Sequence, residues 1–193
     1  MAGTTRCGDA WPASFARPGM RRPADRAAID AFVAALGSIA RAPATAYLVG
    51  GATAVLHGWR PSTIDIDLHL EPEADELLRA LPAIKERLSI NVELASPLDF
   101  LPELPGWRDR SPFVATEGHL TVRHFDPYAQ ALAKLERGFD QDVRDVDAMV
   151  DRRMVDPTEL ERLFEAIRPS LYRFPAVYPA GLEREVRRLS RSA

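Results

Sequence analysis

Four residues within Leu48–Leu70 (LVGGATAVLHGWRPSTIDIDLHL) have the types and spacing to do chemistry together. Gly50 and Gly51 follow a short apolar run and precede Ala52–Gly58, a stretch compact enough for two helical turns. Glycine lets a ligand come close to the backbone, and the free N–H groups at a helix start favour phosphate. Asp65 and Asp67 come next, two residues apart in a stretch of alternating polar and apolar residues, so both carboxylates project from one face of a strand. Side by side, they suit hard divalent cations such as Mg²⁺, with Mn²⁺ as a substitute, leaving open positions for the oxygens of a triphosphate. Such a cation orients an in-line phosphoryl displacement. Gly-Gly alone is commonly a turn, and Asp-x-Asp alone is commonly the wet face of a strand. Their succession as strand, Gly-Gly, helix, then strand with Asp-x-Asp points to a catalytic site.

The elements that must position these residues are legible in the periodicity. Ile29, Phe32, Val33, Leu36 and Ile39 recur at helical spacing behind Asp25, which is placed to cap the first turn. Ala46–Val49 reads as a short buried strand. Thr63–Leu70 reads as a strand with Ile64, Ile66, Leu68 and Leu70 inward and Asp65, Asp67 and His69 outward. Glu73–Leu88 is amphipathic, with Pro82 as a kink or second start. Ile90–Leu94 is a further strand, Pro97–Ser111 a Pro-rich loop with Trp107, and Phe113–Thr116 with His119–Phe125 a hairpin. Helices then follow from Asp126-Pro127 to Gly138, over Asp140–Arg153, over Pro157–Ile167 and over Gly181–Ser192. The expected fold is α+β: a mixed β-sheet of four or five strands flanked by helices, with a C-terminal helical region. Residues 1–25 are expected as a flexible arm in which Met20 is an alternative start, 26–125 as the core, and 126–193 as helices packed on it.

Composition narrows the classes. The chain has 193 residues, 46% hydrophobic and 27% charged, an ordinary globule able to bury a core without a disulfide framework. Cys7 is the one cysteine, which removes intramolecular disulfides and cysteine-cluster zinc sites. No apolar run reaches the length of a membrane span and no secretory leader is apparent, so the expected compartment is the cytoplasm. The formal net charge of −3 means that a polyanion would have to be met by a local basic patch. Of 25 Lys plus Arg, only Lys85 and Lys134 are lysines, so a lysine placed where a compact ammonium is needed stands out.

The residues Gly50, Gly51, Asp65 and Asp67 resemble the signature of the polymerase-β-like nucleotidyltransferase superfamily. A second stretch, Lys134-Leu-Glu-Arg137-Gly-Phe-Asp-Gln-Asp142-Val-Arg-Asp145, resembles the AbiEii and MenT branch, the toxin halves of toxin–antitoxin pairs. Gln141 stands where that branch carries a basic residue. The likeness covers roughly residues 46–150. It implies that Gly50 and Gly51 hold the triphosphate, that Asp65 and Asp67 bind metal, and that Lys134 contacts nucleotide phosphate in a catalytic role. Asp142 or Asp145 would complete the acidic cluster. Glu93, alternating with Val92 and Leu94, is the candidate third strand carboxylate and general base for an attacking 3′-hydroxyl. Thr63 is placed to face the nucleotide, although β propensity alone accounts for a Thr there. His57 and His69 read as structural, and Trp59 and Trp107 as core rather than base-stacking residues.

For the acceptor, Arg184, Arg187, Arg188 and Arg191 fall at i, i+3, i+4 and i+7 of the last helix, with Leu182, Val186 and Leu189 on a docking face. Arg17, Arg21, Arg22 and Arg26 add a basic N-terminal stretch. Beside a nucleotidyltransferase core, this arginine face is a candidate nucleic-acid contact. MenT-like toxins are implied by the resemblance to add nucleotides, often pyrimidines, to the 3′ acceptor end of tRNA and so block aminoacylation. The expected function is therefore a Mg²⁺- and NTP-dependent nucleotidyltransferase toxin with tRNA as acceptor and a cognate antitoxin as partner. Alternatives are transfer of nucleotide or phosphate to protein hydroxyls such as the antitoxin's, a nucleotide-sugar glycosyltransferase, and a non-catalytic module.

Overall fold

A computed structural model describes residues 21–192. A five-stranded sheet, β1 (Ala44–Val49), β2 (Asp65–Glu71), β3 (Asn91–Leu94), β4 (Phe113–Glu117) and β5 (Leu120–His124), has the order β3-β2-β1-β5-β4. β1 is antiparallel to β2 and parallel to β5, β2 is parallel to β3, and β4 is antiparallel to β5, so the sheet is mixed.

Both faces of the sheet are covered, by different sets of helices. α1 (Arg26–Gly37), α2 (Gly50–Leu56) and α3 (Asp75–Leu88) share one hydrophobic cluster with Ala46, Leu48, Ile66, Leu68, Leu70 and Val122 of the strands. On the other side, α4 (Pro127–Arg137), α5 (Asp140–Asp151), α6 (Pro157–Ile167) and α7 (Pro179–Ser192) build a second cluster around Leu132, Val146, Phe164 and Val186. Tyr47, Phe125 and Trp107 belong to this second cluster, and Trp107 stacks on Phe125 at a centroid distance of 4.3 Å. Trp107 is thus core, as its size suggested.

Local chemistry fixes the ends of these elements. Asp25 accepts a hydrogen bond from Ala28 N at 2.9 Å, Asp126 from Tyr128 N at 3.2 Å, and Asp156 from Glu159 N at 2.8 Å, each capping a helix start. Pro127 and Pro157 occupy first-turn positions, where a missing N–H costs nothing. Pro82 does not restart α3: one helix runs through it, with Pro82 on the exposed side.

Two expectations need correction. Ile64 does not face inward but is 75% exposed, because β2 begins only at Asp65 and residue 64 sits in a bend outside the ladder. Of the stretch expected as a loose arm, residues 1–20 lie outside the described residues, together with Cys7, Arg17 and Met20; residues 21–25 are held. Ala24 is fully buried and pairs with Thr63, and Arg22 N donates to Ser89 O at 2.8 Å. No helix among the described residues is long and apolar enough to cross a membrane.

Candidate active site

Strand register brings the acidic residues together. In the β2–β3 ladder Asp65 lies beside Asn91 and Asp67 beside Glu93, while on its other side Asp67 is paired with Val49, the residue before Gly50. Val49, Asp67 and Glu93 therefore form one row across three strands. Alternation along β2 buries Ile66, Leu68 and Leu70 beneath α1 and α3 and leaves Asp65 and Asp67 half-buried on the opposite face. Asn91 ties this acidic row together: its Nδ2 donates to Asp65 Oδ1 and, at 3.2 Å, to Glu93 Oε1, while its Oδ1 accepts from Arg21 at 2.8 Å.

Burial, followed by the charges of Asp65 and Glu93, raises the Asp67 carboxyl from 3.8 to about 6. Arg137 and Lys134 pull it the other way and are outweighed. Among the described residues no three His, Cys, Asp or Glu side chains form a ready-made metal cage. Two adjacent carboxylates are nevertheless what Mg²⁺ uses when substrate phosphates supply other oxygens. The accumulated negative charge at Asp67 fits a divalent cation held by Asp65 and Asp67.

The Gly-Gly turn sits directly against this row. α2 begins at Gly50 itself, two residues earlier than the periodicity suggests, and Gly50 adopts φ +57°, a conformation that favours glycine. A β-carbon on Gly50 would come 3.1 Å from Asp67 Oδ2, and one on Gly51 would fall on the Thr63 side chain. The Gly50 N–H donates to Gln130 Oε1 at 2.7 Å, and Gln130 Nε2 is anchored on Phe125 O at 2.8 Å. The Thr63 hydroxyl donates to the backbone carbonyl of Asp65 at 2.9 Å.

Helix α4 supplies two cations, and α5 supplies the aspartates that hold them. Gln130, Lys134 and Arg137 fall at i, i+4 and i+7 and share one face of α4. Lys134 is buried, with Nζ 2.6 Å from Asp145 Oδ2 and 3.3 Å from Asp142 Oδ1; Arg137 donates to Asp142 Oδ1 at 2.7 Å. Asp145 is fully buried and also accepts from Trp59 Nε1 at 3.1 Å, Arg60 Nε at 2.9 Å and Nη2, and Gln141 Nε2 at 3.1 Å. Burial pushes its carboxyl up, but Lys134 and Arg60 outweigh that and hold it below the ordinary range. Asp145 is therefore a buried anchor that aims Lys134 and Arg60.

A cleft of about 430 Å³ is lined by Gly50, Gly51, Thr63, Asp65, Asp67 and Glu93 together with Lys134 and Asp142. Asp145 lies behind Lys134 and does not line it. Arg184, Arg187, Arg188 and Arg191 on α7 do not line it either. On α7, Arg187 pairs with Glu183 at 2.6 Å, Arg188 with Glu185 at 3.0 Å and Arg184 with Glu185 at 3.8 Å. The cleft also contains Arg60, Gln130, Arg137, Phe100 and Phe139, to which the sequence alone assigns no role. Spacing along α4 is the signal that could have found Gln130 and Arg137; Arg60 carries none, since only the tertiary fold puts it beside Asp145. A second groove of about 980 Å³ runs between α3 and the edge strand β3, past Arg21, Leu81, Lys85 and Leu94, and Glu93 borders both spaces.

A family model described as "Nucleotidyltransferase of unknown function (DUF6036)" matches residues 27–176. The chain belongs to this family. In this nucleotidyltransferase the match spans the whole sheet and reaches through α6, so it takes in every cleft-lining residue described above. No curated protein and no solved structure matches the chain.

Proposed function

We propose that this nucleotidyltransferase transfers a nucleoside monophosphate from an NTP to a hydroxyl acceptor, with the 3′ acceptor end of tRNA as the acceptor and arrest of translation as the outcome. The observation that carries the transfer chemistry is the row Val49–Asp67–Glu93, which puts the Gly-Gly turn, the Asp pair and a third carboxylate side by side. Asp65 and Asp67 hold Mg²⁺, which when bound neutralises and orients the triphosphate oxygens. Lys134 and Arg137 balance the remaining phosphate charge, with Asp142 and Asp145 keeping them aimed across the cleft. Gly50 and Gly51 let the phosphates approach the backbone, and Thr63 supports that turn from below.

Glu93 borders both the cleft and the α3–β3 groove, so an acceptor lying in the groove meets a general base at the point where the two spaces join. The acceptor oxygen attacks the α-phosphorus as its proton passes to the Glu93 carboxylate. The bond between the α-phosphorus and the bridging oxygen breaks, and pyrophosphate leaves. The toxin role and a cognate antitoxin are what the resemblance to the AbiEii and MenT branch implies; they belong to the same proposal, as does a cytoplasmic setting.

A second reading, transfer to a protein hydroxyl, is favoured by the pairing of Arg184, Arg187 and Arg188 with glutamates on α7, which reduces the positive face open to RNA. The test is incubation with Mg²⁺, each α-labelled and γ-labelled NTP in turn, and either total tRNA or the product of the adjacent reading frame. α-Label on tRNA that disappears in Asp65→Ala supports the tRNA reading. Label on protein moves the assignment to the second reading, and no transfer to either acceptor defeats both.

A further inference from the structure

Two phenyl rings stand open in the cleft that holds the charged residues. Phe139 is 68% exposed and Phe100 is 51% exposed; both line the cleft, and neither belongs to either hydrophobic cluster. Phe139 joins α4 to α5, two residues beyond Arg137, while Phe100 follows the helical turn Pro97–Asp99. Ile64, also exposed, adds a third apolar surface to the same space. Of the seven large hydrophobic side chains exposed among the described residues, these three share the one cleft that also holds the Asp pair, Lys134 and Arg137. A ligand matching both features carries anionic phosphates at one end and a flat apolar ring at the other.

Each uncharged polar side chain of the cleft already makes at least one hydrogen bond within the protein. Gln130 holds Gly50 N and Phe125 O, and Gln141 holds Asp145 and is held by Arg144. Thr63 donates to Asp65 O, and the Ser96 oxygen caps the turn after it by accepting from Leu98 N. Stacking tolerates any base, because every base has a π-face, and its strength grows with the area covered.

We infer that Phe139, in the cleft it shares with Phe100 and Ile64, is the nucleobase platform, and that stacking on it favours NTPs by ring area, purine over pyrimidine, against the pyrimidines that the toxin resemblance implies. This rests on the reading of the cleft as an NTP site and adds the identity of its base subsite.

The experiment is titration calorimetry of the full-length chain in Mg²⁺ with ATP, CTP and inorganic tripolyphosphate, for the wild type, Phe139→Ala and Phe139→Trp. Phe139→Ala is expected to weaken ATP by about 5- to 150-fold, the range set by removal of one base–aromatic stack. CTP should weaken less, so that the purine preference collapses, while tripolyphosphate is unaffected. Phe139→Trp should retain ATP affinity. The inference is overturned if Phe139→Ala binds ATP as the wild type does, if ATP and tripolyphosphate weaken in the same proportion, or if wild-type CTP binding matches or exceeds that of ATP. Wild-type protein that binds none of the three probes defeats the NTP reading itself. Binding of ATP that ignores Phe139, with loss of a protein partner in Phe139→Ala, assigns the ring to a docking surface instead.

Discussion

Gly51 packs on Thr63 so closely that a β-carbon there would lie 1.9 Å from Thr63 Oγ1 and 2.7 Å from Thr63 Cβ. This packing ties the first turn of α2 to the backbone that enters β2, two residues before Asp65. Gly51→Ala is therefore expected to cost about 1–3 kcal/mol of stability, as overpacking of a tight core site usually does. Thr63→Ala removes the hydroxyl and one methyl but leaves the β-carbon, so the double variant should recover part of that loss, less than additively. Urea denaturation of the single and double variants at constant m-value measures it.

Asp67 sets a pH dependence of known sign. Its carboxyl titrates at about 6 in the folded protein against 3.8 ordinarily, so between these values the folded state binds more protons than the unfolded one. Its contribution to stability therefore falls as pH rises through that window and stays low above it. Asp67→Asn removes the penalty, and is expected to melt higher than wild type at pH 8 while losing transfer activity. Mg²⁺ should raise the melting temperature of the wild type at pH 8 and do less for the variant. Thermal scans from pH 4 to 8, with and without Mg²⁺, would show an Asp67→Asn protein less stable than wild type at pH 8 if this account fails.

Asp145 and Asp65 are expected to separate anchoring from chemistry. Asp145→Ala leaves the Lys134 ammonium buried with only Asp142 at 3.3 Å and releases Arg60, which should cost about 3–5 kcal/mol, as for other broken buried ion pairs. Asp65→Ala removes a half-buried carboxylate beside another and should change stability by less than about 1 kcal/mol while abolishing transfer. Chemical denaturation alongside an activity assay distinguishes the two; equal destabilisation would refute the assignment.

The acceptor question can be decided from salt dependence. If RNA phosphates meet α7, replacing Arg184, Arg188 and Arg191 with Gln should make the plot of log affinity against log salt shallower, by about 0.7 for each single-strand phosphate no longer neutralised. Lys85→Gln in the α3–β3 groove should raise the KM for acceptor without changing that for NTP. A slope unmoved by the α7 substitutions places the acceptor's phosphates elsewhere or makes the acceptor a protein.

Much of the site is legible in the chain. Asp65 and Asp67 stand out because strand alternation alone places them on one face, and β2 shows that pattern over Asp65–Glu71. Gly50 is legible through its place at a strand end, but Gly51 has a reason the sequence hides: the partner that excludes a side chain, Thr63, is distant along the helix–strand connection. Glu93 alternates visibly with Val92 and Leu94, yet only the parallel register with β2 sets it next to Asp67. Lys134 is conspicuous as a rare lysine, while its burial against two aspartates depends on how α4 meets α5. The α7 arginine stripe is visible too, but the interleaved Glu183 and Glu185, which lie just as plainly in the sequence, take up much of its charge.

The two sides of the cleft belong to different cores. Asp65 and Asp67 stand on a strand whose buried side chains pack with α1 and α3, whereas Lys134 and Arg137 stand on a helix packed with α5, α6 and α7. A triphosphate spanning them acts as a cross-brace, so part of its binding energy goes into holding two separately packed halves in alignment. Loosening the second core far from the cleft, at Phe164 or Val186, should therefore weaken nucleotide affinity along with stability, and saturating nucleotide should sharpen the unfolding of the whole chain into a single event.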